Sequence, residues 1–405
     1  MLYYVGVFFI LFFGALKYDF KKNKKEKKGY LTIFIIIFVL AFNYQMGSDW
    51  LNYQEFYDNV AHKIGIKDLY NGRDLRFLSE KGYILLNIFF HKLGFNYEMF
   101  SGISMAICIF IILRFVKRKS DNYFVAYYIL IVNILFGFSM EPIMRQFLAT
   151  SIVVLAFNYI EKKKFIKYFL LIMLAAQFHN SAYICIFFYF LDKFTIKRRK
   201  VLYLMLVSYL IVLIIPSISE KLMSISILSK YMYYINHPLY GFRKISFSRS
   251  ILKLLISLVY LYINFYSYQF SKKKEKYLQN LSIIYCLFFV LDGLPILQRL
   301  LSYFSVGFAI SISSIGELKT LSKKEIKLNH RKVGYINIII LFVFNIFIFY
   351  KTYFVRELSI YRYYNYKNYF IEGIKGNLYS DFKTKSYQYK IDILKLQEKE
   401  NMSKN

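Results

Sequence analysis

Residues 21–42 read KKNKKEKKGYLTIFIIIFVLAF: six lysines in eight positions, then an apolar run in which Thr32 is the one polar residue of 31–42. A run of this kind has no stable place in water, while lysine crowds at its edge are what membrane surfaces collect. The same alternation repeats outward along the chain. Nearly charge-free blocks at 123–138, 143–159, 202–215, 278–291 and 336–350 are set off by basic clusters at 17–28, 114–119, 162–167, 193–200, 272–276 and 319–332. About 17–25 such residues cross a bilayer as a helix, and only helices or closed barrels satisfy their backbone there. Barrel strands alternate apolar and polar residues, and these blocks do not. The expected fold class is therefore all-α and polytopic.

Composition agrees. The 405 residues are 57% hydrophobic with only four prolines, too apolar for a soluble chain of this length. The formal net charge of +31 invites a nucleic-acid reading. Its confinement to short gaps between apolar blocks makes it a topology signal instead, with anionic lipid headgroups as its neighbours. Cys108, Cys185 and Cys286 stand apart in apolar stretches, without metal-ligand spacing, and read as small hydrophobes. The first apolar segment lacks a basic leader and a small-residue cleavage site, so it is expected to remain as a span.

Hydropathy, then charge, predicts about twelve spans: 2–16, 30–46, 97–113, 121–139, 143–160, 165–178, 181–192, 201–216, 251–269, 277–292, 297–316 and 333–350. Basic clusters inside put both termini outside. Residues 1–350 form one membrane domain, with outer loops at 47–96 and 217–250, and 351–405 form a polar outer tail. The apolar piece 83–93 is too short to cross and would invert every later cluster if it did, so it reads as an interfacial or re-entrant helix on the outer face. Residues 217–249 carry five Lys/Arg, including Arg243 and Arg249, against one Glu. Two explanations fit an outer loop this basic: an anionic ligand, or a length at which loop charge no longer sets topology.

Asp49, Glu80, Glu141, Arg145, His179, Asp292 and Arg299 all fall at outer span ends. Ionisable groups at membrane depth line cavities or pair with one another; the bland alternative is charge reaching out to water. Segment 165–191 reads as two helices of about 14 residues, roughly 21 Å each, meeting at His179-Asn180-Ser181. That is short of a ~30 Å core, so the turn is expected in a recess. An imidazole there donates, accepts or titrates near neutrality. Arg145-Gln146 follows Glu141-Pro142 at a helix start, where the guanidinium fork suits phosphate and Glu141 is the competing partner. Arg299 likewise follows Pro295 and Gln298. Two such arginines suit a diphosphate.

The residues that carry chemistry also match a family pattern. Gly47-Ser48-Asp49-Trp50-Leu51-Asn52-Tyr53 resembles the G-[ST]-D-x-x-x-Y stretch of EpsG/Wzy-type bacterial polysaccharide polymerases. Glu80-Lys81-Gly82-Tyr83 is similar to their E-x-G-[FY] element. Arg145-Gln146 and Phe178-His179-Asn180-Ser181-Ala182 resemble the R-Q…F-H-x-S-A pair, and Gln298-Arg299-Leu300 through Tyr303-Phe304 the late R-x-x-x-Y-F element. One departure stands out: Asn43-Tyr44-Gln45 occupies a position where the family often carries Arg. The resemblance implies a GT-C-like architecture in the bacterial cytoplasmic membrane. The implied activity is extracytoplasmic polymerisation of polyprenyl-diphosphate-linked oligosaccharide units into exopolysaccharide, capsule or O-antigen, by a glycosyltransferase using no metal, cofactor or nucleotide sugar. Implied partners are the lipid-linked substrate, membrane lipids, and a flippase and chain-length regulator of the same pathway, with no nucleic acid. In this reading Asp49, Glu80 or His179 is the catalytic base, and Arg145, Gln146, Arg299, Tyr53, Arg243 and Arg249 bind substrate. A lipid-linked oligosaccharide flippase and a membrane O-acyltransferase are the competing classes.

The topology is directly testable. With single cysteines introduced, an impermeant thiol reagent applied to intact cells should label 47–80, 217–249 and the tail beyond Tyr350. Labelling at 21–28 instead would overturn the assignment.

Overall fold

The computed structural model describes residues 2–19, 26–45, 50–60, 63–64, 80–140, 143–223, 247–270, 275–291, 295–314, 330–353 and 367–376. The chain is all-helical; among the described residues the only β-type pairing is an isolated bridge between Asn43 and Asn368. The order is α1 (Leu2–Gly14, running into a π-helical turn, Ala15–Asp19), α2 (Glu26–Ala41), α3 (Trp50–Asn59), α4 (Lys81–Lys92) and α5 (Tyr97–Lys119). Then come α6 (Tyr123–Leu130), a π-helical turn (Ile131–Leu135), α7 (Phe136–Met140), α8 (Met144–Glu161), α9 (Phe165–Ala176) and a 3₁₀ helix (Asn180–Lys193). The rest is α10 (Arg198–Met223), α11 (Phe247–Phe270), α12 (Lys276–Val290), α13 (Pro295–Ser313), α14 (His330–Tyr353) and α15 (Tyr369–Ile374).

Helix α5 shows how the sequence writes such an element. Asn96 caps it, accepting from the Met99 N–H at 2.9 Å, Glu98 sits in its first turn, and Lys117, Arg118 and Lys119 close its last. Each choice suits the helix dipole and the free backbone groups at its ends. Its 23 residues reach about 34 Å, enough for a hydrocarbon core of about 30 Å. Among the described residues it is the one helix long and apolar enough to cross by itself, and seven shorter apolar helices accompany it. Those helices turn wide apolar surfaces outward, such as Ile339, Ile340, Val343 and Phe347 on α14. Surfaces of that extent are what a lipid-embedded bundle presents.

Within the bundle, α12 and α13 approach closely at Gly307, where a Cβ would stand 2.5 Å from the Cβ of Leu281 and 2.8 Å from the Leu278 carbonyl. Small residues at such crossings let helix backbones meet where lipid offers no hydrophobic drive. At the basic end of the bundle, Lys119 lies 2.6 Å from Glu161 and 3.0 Å from Glu275, tying together the ends of α5, α8 and α12. Tyr277 donates to Glu161 at 2.7 Å. Asp19 accepts from the N–H groups of Phe124 and Val125, closing the start of α6.

The opposite end holds α3, α4 and the 367–376 segment. Asn368 Nδ2 donates to the Phe38 carbonyl at 2.9 Å, and Tyr369 N–H to the Phe42 carbonyl at 2.9 Å. This clasp satisfies carbonyls that the end of α2 leaves open. Residues 367–376, within the stretch the sequence assigns to a tail, therefore pack against the end of α2. Helix α4 has 12 residues, about 18 Å, too short to cross. It buries Tyr83, Ile84 and Asn87 and exposes Leu85 and Phe89, as an interfacial helix would.

One expectation needs correcting. The two arms meeting at His179 are not equal α-helices: α9 has 12 residues, about 18 Å. The second arm is 3₁₀ over 14 residues. A 3₁₀ helix rises about 2.0 Å per residue, so this arm reaches about 28 Å, close to full hydrocarbon depth. Length alone therefore gives no deep recess at the turn. The polar neighbours of His179 set its surroundings instead.

Candidate active site

Four helix starts converge at the end opposite the lysine clusters. Glu80 immediately precedes α4, Arg145 is the second residue of α8, His179 caps the 3₁₀ arm, and Arg299 lies in the second turn of α13. Helix starts carry free N–H groups and partial positive charge, a setting that favours anions and disfavours cations. Two arginines placed there need negative charge nearby. Glu80 supplies the one such charge seen among the described residues: its Oε2 accepts from Arg145 Nη1 in a close ion pair. Arg145 Nε donates to the Tyr53 hydroxyl at 3.1 Å. The guanidinium fork thus bridges α3 and the start of α4, a two-point grip that an ammonium lacks.

Among the described residues, the carboxylate that Arg145 holds is Glu80. Sequence proximity pointed to Glu141, itself outside the described residues, whereas the fold delivers a carboxylate 65 positions away. Tyr53 is brought over by α3, whose buried face is Trp50, Tyr53, Phe56 and Tyr57, the spacing of an amphipathic helix. Its rings pack on Tyr83, Tyr97 and Phe100.

Gly82 explains the glycine of the Glu80-Lys81-Gly82-Tyr83 element. Its N–H donates to the Gln177 carbonyl at 3.0 Å, and a Cβ there would stand 2.9 Å from that of Gln177. This contact brings Glu80 against the His179 turn. Burial pushes the Glu80 carboxyl above its ordinary range, opposed by Arg145, by the Asn180 backbone N–H and by Arg299. His179 is held down to about 4 by burial and by the fields of Arg145 and Arg299, so the imidazole is neutral across the physiological range.

Gln146 takes a different part from the one expected. It is buried, and its Nε2 donates to the Arg299 carbonyl and, at 3.0 Å, to the Ser302 hydroxyl. Its amide nitrogen locks α8 to α13 and so fixes the two arginine-bearing helix starts relative to each other. Arg299 itself is exposed.

Of the residues singled out from sequence, Tyr53, Glu80, Arg145, Gln146, His179 and Arg299 come together. Asp49, Asp292 and Arg243 lie outside the described residues, as does the side chain of Arg249 at the start of α11. Ser181, Ser302 and Tyr303 belong to the cluster and were not picked out. Ser181 and Tyr303 stand inside the quoted motifs, and the four-residue step from Arg299 to Tyr303 is the signal that places both on one helix face. No three His, Cys, Asp or Glu side chains among the described residues are grouped as metal ligands.

The described residues thus form a helical protein with one helix long and apolar enough to cross a membrane and seven shorter apolar helices, and with Arg145, Arg299, Glu80 and His179 gathered at one end. The EpsG family model matches residues 28–369, and the chain belongs to the EpsG family. Membership supports a role in polysaccharide polymerisation in general. No curated protein and no solved structure matches the chain.

The Glu80–Arg145 pair should appear in a double-mutant cycle of detergent unfolding. Glu80→Gln and Arg145→Gln should each destabilise, and the double variant should lose less than their sum, by about 1–3 kcal/mol. Strictly additive losses would contradict the pairing.

Proposed function

We propose that this protein joins polyprenyl-diphosphate-linked oligosaccharide units into a surface polysaccharide on the outer face of the bacterial cytoplasmic membrane. The observation that carries the reading is the meeting of Arg145 and Arg299 at helix starts, with Glu80 and His179 between them. The proposed architecture has about twelve spans and resembles that of GT-C glycosyltransferases. The lysine-rich end faces the cytoplasm, and the site lies in the outer leaflet's headgroup region.

In the proposed reaction the bond between the anomeric carbon of one unit and its diphosphate breaks. A bond forms from that carbon to a hydroxyl oxygen of a second unit. The hydroxyl proton passes to a carboxylate, and the diphosphate leaves on its lipid. Negative charge grows on the departing diphosphate, so donors fixed in advance at that point lower the barrier most. Arg145 and Arg299, backed by helix starts, are suited to this work without a metal. Of the two carboxylates, Glu80 is already engaged by Arg145, which favours Asp49 as the proton acceptor and leaves Glu80 to hold the guanidinium in register. Tyr53 orients Arg145, and Gln146 orients Arg299 through its backbone. Arg243 and Arg249 are proposed to meet the anionic substrate further out.

Loss of the protein should leave single lipid-linked units accumulating on the outer face, with long polymer missing. A flippase would leave the same units trapped on the cytoplasmic face. Accessibility of the accumulated units to an impermeant sugar-oxidising or lectin probe in intact cells decides between them, and inaccessible units would sink the polymerase reading.

A further inference from the structure

His179 makes two hydrogen bonds through one ring nitrogen, and together they determine where its proton sits. The backbone N–H of Ser181 points at Nδ1 from 3.3 Å, the ring acting as the cap of the 3₁₀ arm. An N–H donor facing Nδ1 requires a lone pair there, because two N–H groups cannot face each other. The Ser181 hydroxyl lies 2.6 Å from the same nitrogen, so it too must donate. Its oxygen is then left to accept, and the Tyr303 hydroxyl stands 2.9 Å away to donate to it. The chain runs in one direction: Tyr303 O–H to Ser181 Oγ, and Ser181 O–H to His179 Nδ1. The imidazole proton is thereby confined to Nε2, for which no partner is present among the described residues.

We propose that Tyr303 and Ser181 are positioning residues that hold His179 as the neutral Nε2–H tautomer. In that form the ring works as a hydrogen-bond donor to a substrate oxygen and not as the base. The donor's target, a phosphate or sugar oxygen of the lipid-linked unit, rests on the polymerase reading; the tautomer does not. The groups around the ring favour this state. Arg145 on α8 and Arg299 on α13 disfavour a positive charge on the ring, and Glu80, ahead of α4, is already paired with Arg145. Cys185 on the same arm is buried, and Tyr303 is the source of the chain. A neutral donor beside two cations adds a directed contact to an anion without the cost of a third charge.

The test is nitrogen NMR of protein labelled with ¹⁵N-histidine in lipid nanodiscs, with the His179 signals assigned by their loss in His179→Gln. The expected result at neutral pH is a protonated Nε2 and an unprotonated Nδ1 in the wild type, a measurement that needs no variant to fold. Tyr303→Phe and Ser181→Ala should shift this toward a mixture of tautomers and move ring protonation to higher pH. Imidazolium or an Nδ1–H ring in the wild type overturns the proposal, as do unchanged spectra in both variants. Polymer formation supplies the second readout. His179→Gln, whose amide can donate in place of Nε2–H, should lower polymer formation clearly less than His179→Leu, which keeps no donor. Equal loss in both would show that a donor at this position is not what the reaction uses and would overturn the proposal. No polymer from the wild type would refute the polymerase reading while leaving the tautomer result standing.

Discussion

Arg145 sits where electrostatics least favours a cation, in the first turn of a helix and beside other helix starts, and the site depends on what holds it there. Its fork takes Glu80 with one nitrogen and the Tyr53 hydroxyl with another. That grip ties Glu80, immediately ahead of α4, and the amphipathic α3 to the start of α8. Glu80 is in turn drawn to the His179 turn by the Asn180 N–H and by the Gly82–Gln177 contact. Gln146, the next residue along α8, reaches the other way and pins α13. Two neighbouring side chains thus join most of the elements that contribute to the site. Among the described residues, Arg145 and Arg299 stand near the single carboxylate of Glu80.

At the opposite end, Lys119 is held by two carboxylates, Glu161 and Glu275, and Tyr277 donates to Glu161. Asp19, Ser120 and Asn122 close helix ends with neutral or capping bonds. Among the described residues, Lys119 is held between carboxylates of two helices, whereas Arg145 is held by Glu80 and Tyr53 beside a second arginine, Arg299.

Much of the fold was legible because bilayer thickness and lysine placement are coarse constraints that a linear sequence records directly. The alternation of 31–42 with its lysine neighbour repeats down the chain, and helices stand at those blocks. The motifs also indicated that Glu80, Arg145, His179 and Arg299 share one end. What they could not convey was pairing across distance. Glu80 stands 65 positions from Arg145 and yet holds it, a pairing that no spacing in the sequence announces. Gln146 looked like a ligand-facing residue beside Arg145, but successive residues of a helix point about 100° apart, and its amide turns inward to α13. The 3₁₀ winding of Asn180–Lys193 and the π turn at Ile131–Leu135 have the same apolar composition as α-helix, so hydropathy carries no trace of them. Helical winding decides how far the His179 turn lies from the basic end, a quantity that residue counting alone misjudged.

The most direct measurement is chain elongation by the purified protein in lipid vesicles supplied with a single polyprenyl-diphosphate-linked repeat unit and no nucleotide sugar. A ladder of lengthening polymer is expected from the wild type. Arg145→Lys and Arg299→Lys, folded and equally expressed, should make roughly 10²-fold less, the scale of losing one fixed donor to developing negative charge. Elongation at full rate by both arginine variants, or none by the wild type, would contradict the role assigned to this site.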